Sequence, residues 1–268
     1  MPGFIIDLDG TLYSGNNPIL HADTFIQQLK KNNHPFLLMT NNSTRTAEEI
    51  CSHVFEVCGF SVEPEQILTS AHAAIRYVQT HISGNRVYLI GQNGLYQAFQ
   101  QAGYEIVTEQ NYDIITGQVD AVVQGYDQQF NYGKLTNAVS LILNGAQFIL
   151  TNPDHLVPTE RGMLPAAGSI GAAIQKASGV EPVVIGKPSS IIMEYAIERL
   201  GLPAEEIWMV GDNIGTDIAG GHHAGCKTCL VLTGLATSDN LNELIAKTGT
   251  KPDYVANHLL DLYDHLTT

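Results

Sequence analysis

Phe4-Ile5-Ile6-Asp7-Leu8-Asp9-Gly10-Thr11 is a short apolar strand that stops on acidic residues and a glycine. Asp7 and Asp9 are two apart, so an extended backbone sets both carboxylates on one side, and Gly10 permits a tight turn. Taken alone, the stretch has two readings. It is either a strand end closed by turn-forming Asp and Gly, or a strand that delivers a carboxylate pair to the edge of a sheet.

Outward from Thr11, strand-like and helix-periodic segments alternate almost throughout. Apolar runs at 35–39, 67–68, 87–91, 121–123, 148–150, 182–185 and 207–210 read as strands. Helical spacing covers 22–31, 44–57, 71–80, 132–143, 168–177 and 189–200. This alternation predicts an α/β fold, a doubly wound (Rossmann-like) and mostly parallel sheet. There are no repeats, low-complexity tracts or long linkers, so any second domain is expected to be inserted, not tethered.

Three further segments put polar residues at the C-terminal end of an apolar strand, where open α/β sheets bind ligands. In Leu37-Leu38-Met39-Thr40-Asn41-Asn42-Ser43, Thr40 is placed to offer its hydroxyl to a phosphate oxygen; Ser43 or Thr44 reads equally as a helix N-cap. In Val184-Ile185-Gly186-Lys187-Pro188-Ser189 a lysine meets a helix start, an anion site by dipole and N–H groups. A lone lysine there also reads as a solvated surface residue. Met209-Val210-Gly211-Asp212-Asn213-Ile214-Gly215-Thr216-Asp217 adds two carboxylates after a buried strand. Four carboxylates at sheet ends repel one another unless a divalent cation lies between them, and hard oxygen donors suit Mg²⁺.

Composition narrows the partners. The 268 residues carry a formal charge of −14, with 13 basic against 27 acidic side chains and no basic run. Nucleic-acid binding is therefore not expected, since it relies on Lys and Arg. No apolar run reaches the roughly 18–20 residues of a membrane span, and the N-terminus has no basic leader. A cytoplasmic protein with no signal peptide and no membrane partner is the expectation. Cys226-Lys227-Thr228-Cys229 has redox or half-zinc spacing, but it runs into a strand, where residues three apart point to opposite faces. Plain reduced thiols are expected there and at Cys51 and Cys58. Tandem His222-His223 reads as helix surface, because adjacent helical residues point about 100° apart.

Taken together and in this order, the four segments resemble the haloacid dehalogenase superfamily, whose hallmark begins Asp-x-Asp-Gly-Thr. The resemblance runs from Asp7 to Leu232-Thr233-Gly234. It implies a phosphatase acting on a small phosphorylated metabolite with Mg²⁺ as cofactor. Asp9 bears on this, because the dehalogenases lack a carboxylate there and the phosphotransferases use one as acid and base. By resemblance Asp7 is the nucleophile and Asp9 the general acid and base. The metal falls to Asp7, the backbone carbonyl of Asp9, Asp212 and Asp217. The phosphoryl oxygens fall to Leu8, Asp9, Thr40, Asn41 and Lys187, those of Leu8 and Asp9 through backbone N–H groups.

From Asp7 to Thr40 there is room for one helix and one strand, and no cap. From Thr40 to Lys187 the chain is far longer than one βα unit needs. A separate α/β domain of about 100 residues is expected there, at 80–181, between core parts 1–79 and 182–268. That arrangement resembles the class IIA branch, the NagD-like and 4-nitrophenyl-phosphatase-like proteins. Gly125-Tyr126-Asp127, Thr151-Asn152-Pro153-Asp154 and Leu164-Pro165-Ala166-Ala167-Gly168-Ser169 look like that branch's cap motifs. Asn152 and Asp154 become candidate substrate contacts, though Asn-Pro-Asp is also an ordinary turn. His21 stands where several relatives have a Pro-Gly turn, which touches local geometry only. The resemblance also points to a homodimer. A phosphomutase on the same core is disfavoured by the missing early cap. A non-catalytic phosphoester sensor would be expected to lose one of Asp7, Asp9, Lys187 or Asp212. A dinucleotide enzyme would need a Gly-rich turn after the first strand.

Overall fold

The computed structural model describes residues 1–108, 117–159 and 162–267, which form a mixed α/β protein. They divide into two compact units: Met1–Thr40, Ala47–Leu68 and Lys187–Thr268 make the first, Asn41–Thr46 and Thr69–Gly186 the second.

The first unit is built on a six-stranded sheet. Its order is Tyr254–Ala256, Lys227–Val231, Ile207–Gly211, Gly3–Ile6, Phe36–Thr40 and Ile67–Thr69. Gly3–Ile6 runs parallel to both neighbours, with Ile6 opposite Val210 on one side and Leu38 on the other. The chain winds away from this strand in one direction through Phe36–Thr40 and in the other through Ile207–Gly211. Such a reversal leaves a crevice at the carboxyl ends of the central strands. Both faces of these strands are covered, which is why they read as unbroken apolar runs. Phe4, Ile6, Leu38, Val210 and Val231 share one core with Phe25, Ile26 and Leu29 of the helix Ala22–Lys31. Leu230, on the opposite face, packs with Ile214 and Ile218.

The second unit carries its own parallel sheet, in the order Val183–Val184, Gln147–Leu150, Ala121–Gln124, Arg86–Ile90 and Glu105–Val107. Tyr88, Val122 and Phe148 pack against Ala138, Leu141 and Ile142 of the helix Tyr132–Leu143. Asn131 starts that helix by accepting the Lys134 N–H on its side chain at 3.1 Å. An antiparallel pair, Leu156–Thr159 with Gly162–Pro165, lies outside this sheet.

Among the described residues no helix is long and apolar enough to cross a membrane. All four cysteines are free, with Cys58, Cys226 and Cys229 buried. Burial pushes the Cys58 and Cys226 thiols up to about 11, which keeps them from acting as thiolates at neutral pH. His222 and His223 are exposed at the end of the short helix Ala219–His223.

Candidate active site

Parallel register sets the site. Asp7 follows Gly3–Ile6, Thr40 ends the next strand, and Asp212 follows Ile207–Gly211 on the other side. Three strand ends thus meet at one edge of one sheet. Asp7 donates its backbone N–H to Val210 O at 2.9 Å, which extends the ladder one residue past the strand and fixes where its side chain departs.

Among the described residues, Asp7, Asp212 and Asp217 each offer a carboxylate oxygen within 4.8 Å of the other two. All three are buried, at 7%, 3% and 1% exposure, and so is Lys187 at 3%. The Lys187 ammonium donates to Asp7 Oδ1 and, at 2.7 Å, to Asp217 Oδ1. The other oxygen of Asp217 accepts the Asn213 N–H at 3.0 Å, and Asp212 Oδ2 accepts the Leu235 N–H at 2.6 Å. Gly211 is required beside this group, because a Cβ there would run into the Asp217 carboxylate.

The electrostatics show a site short of positive charge. Burial, then the charges of Asp217 and Asp212, raises the Asp7 carboxyl well above the usual range, although Lys187 pulls it down. Burial and the Asp217 charge push Asp212 up to about 6. For Lys187 burial acts against the proton, but Asp217 and Asp7 outweigh it and hold the ammonium more firmly than usual. Each of these shifts favours one more proton in the cluster. Burial of three facing carboxylates against a single lysine explains all of them. A hard divalent cation answers the same demand, so this donor set fits Mg²⁺.

The remaining candidates have the following surroundings. Asp9 is exposed, at the turn that leads to Tyr13. Leu8 is buried, with its carbonyl accepting the Thr11 and Leu12 N–H groups. Thr40 is buried at its strand end. Asn41 belongs to the second unit, where its carbonyl accepts from Ser70 Oγ at 2.6 Å and Asn152 Nδ2 at 2.8 Å. Its own side chain donates to Asp154 Oδ2 at 3.2 Å. Asn152 Oδ1 accepts the Asp154 N–H at 3.2 Å, so Asn-Pro-Asp does form a local turn. Asn152 is thereby committed to holding backbone, and Asp154 remains half-buried. Asp127 pairs with Lys134 at 2.6 Å and caps the Gln129 N–H at 2.8 Å.

One contributor was missed by the sequence reading: the Leu235 N–H that holds Asp212. The signal was available. Thr233-Gly234 follows an apolar strand parallel to the others and ends at the same edge.

Comparison with known proteins agrees with this architecture. A family model described as haloacid dehalogenase-like hydrolase matches residues 4–105, and a HAD-hydrolase-like model matches residues 184–262. The 5'-nucleotidase YutF of Bacillus subtilis is 38% identical over 91% of this chain and 92% of its own. An acid sugar phosphatase of Staphylococcus aureus is 41% identical over 89% of each. The structure of a p-nitrophenyl phosphatase from Archaeoglobus fulgidus superposes with a TM-score of 0.91, at 35% identity over 98% of both chains.

Proposed function

The chain belongs to the haloacid dehalogenase-like hydrolases, in their NagD-like, 4-nitrophenyl-phosphatase-like branch, and from that premise we propose that it is a Mg²⁺-dependent phosphatase working through an aspartyl-phosphate on Asp7. The observation that carries this reading is the buried cluster of Asp7, Asp212 and Asp217 with Lys187 bound to two of its members.

In the first step an Asp7 oxygen attacks phosphorus in line, and the bond from phosphorus to the ester oxygen breaks. Asp9 gives its proton to that departing oxygen. Its exposure supports this role, since a leaving group must be met from the open side. In the second step Asp9 takes a proton from the water that attacks the aspartyl-phosphate, and inorganic phosphate leaves. Thr40, Lys187, Asn41 and the backbone N–H groups of Leu8 and Asp9 hold the phosphoryl oxygens as charge develops. Asp7, the Asp9 carbonyl and Asp212 would hold Mg²⁺, which would supply the positive charge that lets an anionic carboxylate approach an anionic phosphate. Asp217, whose oxygens accept from Lys187 and Asn213, would serve the ion directly or through water.

Metal and carboxylates can be tested together by melting the protein at several pH values. In chelator, Asp7 and Asp212 hold protons more tightly in the folded than in the unfolded chain. The folded state therefore carries the extra protons, and stability falls as pH rises, for Asp212 from the ordinary carboxylate range through about 6. Tm in EDTA is expected to drop over that window. With Mg²⁺ the drop should flatten or reverse, because the cation favours the ionised carboxylates. Identical pH slopes with and without Mg²⁺ would take the ion away from this cluster.

The substrate is a small phosphate monoester, and residues 80–181, with Asp154 foremost, select it. Phosphate release from a monoester panel with Mg²⁺ tests the activity, and an inert protein would overturn the reading. With the best substrate in hand, Asp154→Ala should lower kcat/KM by about 1–3 kcal/mol, the cost of one lost polar contact. The loss should be much smaller for 4-nitrophenyl phosphate, whose flat leaving group needs little recognition. Equal losses on both substrates would make Asp154 a support of the fold, not of selectivity.

A further inference from the structure

The loop after the strand Lys227–Val231 touches both Asp212 and the turn that follows Asp7. Thr233 Oγ1 donates to Gly10 O at 2.7 Å, in the turn that follows Asp7 and Asp9. Two residues on, the Leu235 N–H holds Asp212 Oδ2 at 2.6 Å, and the Ala236 N–H holds Asp212 O at 3.1 Å. Between them Gly234 lies so close that a Cβ would collide with the Asp212 carboxylate and come within 2.8 Å of Gly10 Cα. Gly10 is itself confined, with φ at 87° and no room for a Cβ beside Asp212. The far end of the loop is pinned by Asn240, which donates to Leu235 O at 2.9 Å and accepts the Thr237 N–H at 2.8 Å.

From this arrangement we infer that Thr233 is a positioning residue that sets the Asp7–Gly10 turn against Asp212, so that the ligands from two separate strand ends arrive already spaced for one cation. Neither strand does this alone. Asp7 and Asp212 follow the last residues of neighbouring strands, and carboxylates that repel would spread apart there. One loop that grips Gly10 through a hydroxyl and Asp212 through two N–H groups opposes that spreading. Preorganised ligands lose less freedom on binding, so the hydroxyl contributes to metal affinity without touching metal or substrate.

The inference rests on the Mg²⁺ reading above, and titration calorimetry of Mg²⁺ into the substrate-free full chain separates the two. Thr233→Val removes the hydroxyl and keeps the shape; it should weaken Mg²⁺ binding about three- to tenfold, the range of one net hydrogen bond. Thr233→Ser keeps the donor and should stay within about twofold of wild type on the same scale. A merely structural threonine would lower Tm in chelator and leave the Mg²⁺ Kd where it was. Wild-type affinity in Thr233→Val overturns the inference whatever its Tm, and so does an equal loss in Thr233→Ser. If Thr233→Val does not fold, Asn240→Ala decides, because it frees the Leu235 end of the same loop. Weaker Mg²⁺ binding there supports the clamp, and unchanged binding overturns it. Absence of Mg²⁺ binding by the wild-type chain overturns the metal reading itself, and the inference with it.

Discussion

Asp7→Asn should abolish turnover while leaving the protein at least as stable as before. The two halves of that result have one cause. Asp7 is buried beside Asp212 and Asp217, and burial raises its carboxyl well above the usual range, so its charge weighs on the folded state. Asparagine has nearly the same shape and no charge, and in chelator its Tm should match or exceed that of wild type. As a nucleophile it fails, because a neutral amide has no carboxylate oxygen to attack phosphorus. The expected loss in kcat is at least a thousandfold, about 4 kcal/mol of barrier. Phosphate release with 4-nitrophenyl phosphate and a melt in EDTA measure both halves. A variant that keeps more than about a tenth of the rate has lost under 1.4 kcal/mol, and Asp7 would then not be the nucleophile. A large fall in Tm would show that the Lys187 contact outweighs the desolvation of the charge.

The core of this arrangement was legible because parallel strands announce themselves. Gly3–Ile6, Phe36–Thr40 and Ile207–Gly211 are buried on both faces, so each reads as an apolar run that ends abruptly in polar residues. The helix Tyr132–Leu143 was legible to its ends, with Asn131 as a side-chain cap. Elements that depend on distant contacts were not. A helix from residue 44 fits the local spacing, yet Ala47–Cys58 starts three residues later. Residues 41–46 pack with the second unit instead, and the Thr44 carbonyl accepts the Gly94 N–H at 2.9 Å. The helix Asn93–Gln101 was hidden by that same Gly94, where a Cβ would strike the Arg45 backbone. In the site, Asp7, Lys187, Asp212 and Asp217 could be picked out, since each follows or abuts a strand end. The Asn152 amide on the Asn41 carbonyl and the Thr233 hydroxyl on Gly10 join residues far apart in sequence, and no spacing rule reports them.

Lys187→Met should damage the protein in the opposite sense to Asp7→Asn, losing activity and stability together. Its ammonium is 3% exposed and contacts both Asp7 and Asp217, each of them buried. Removing one partner from a buried ion pair leaves charge uncompensated, at a cost of about 3–5 kcal/mol. For a chain of this size that corresponds to a Tm lower by roughly 6–20 °C in chelator. Lower pH should narrow the gap, because Asp7 and Asp212 already favour the proton and would take it more readily once the lysine is gone. Turnover should fall by at least about a hundredfold, and alike for 4-nitrophenyl phosphate and a preferred monoester, since both present the same phosphoryl group. The sharper measurement is the double variant. If Lys187 stabilises the fold by offsetting the Asp7 charge, Asp7→Asn should recover part of the Tm that Lys187→Met loses, a coupling of contacting residues opposite to simple addition. Additive Tm changes would mean that the lysine answers to Asp217 alone. A Lys187→Met protein as stable as wild type in EDTA, with an unchanged pH slope, would remove the lysine from the charge balance of the cluster altogether.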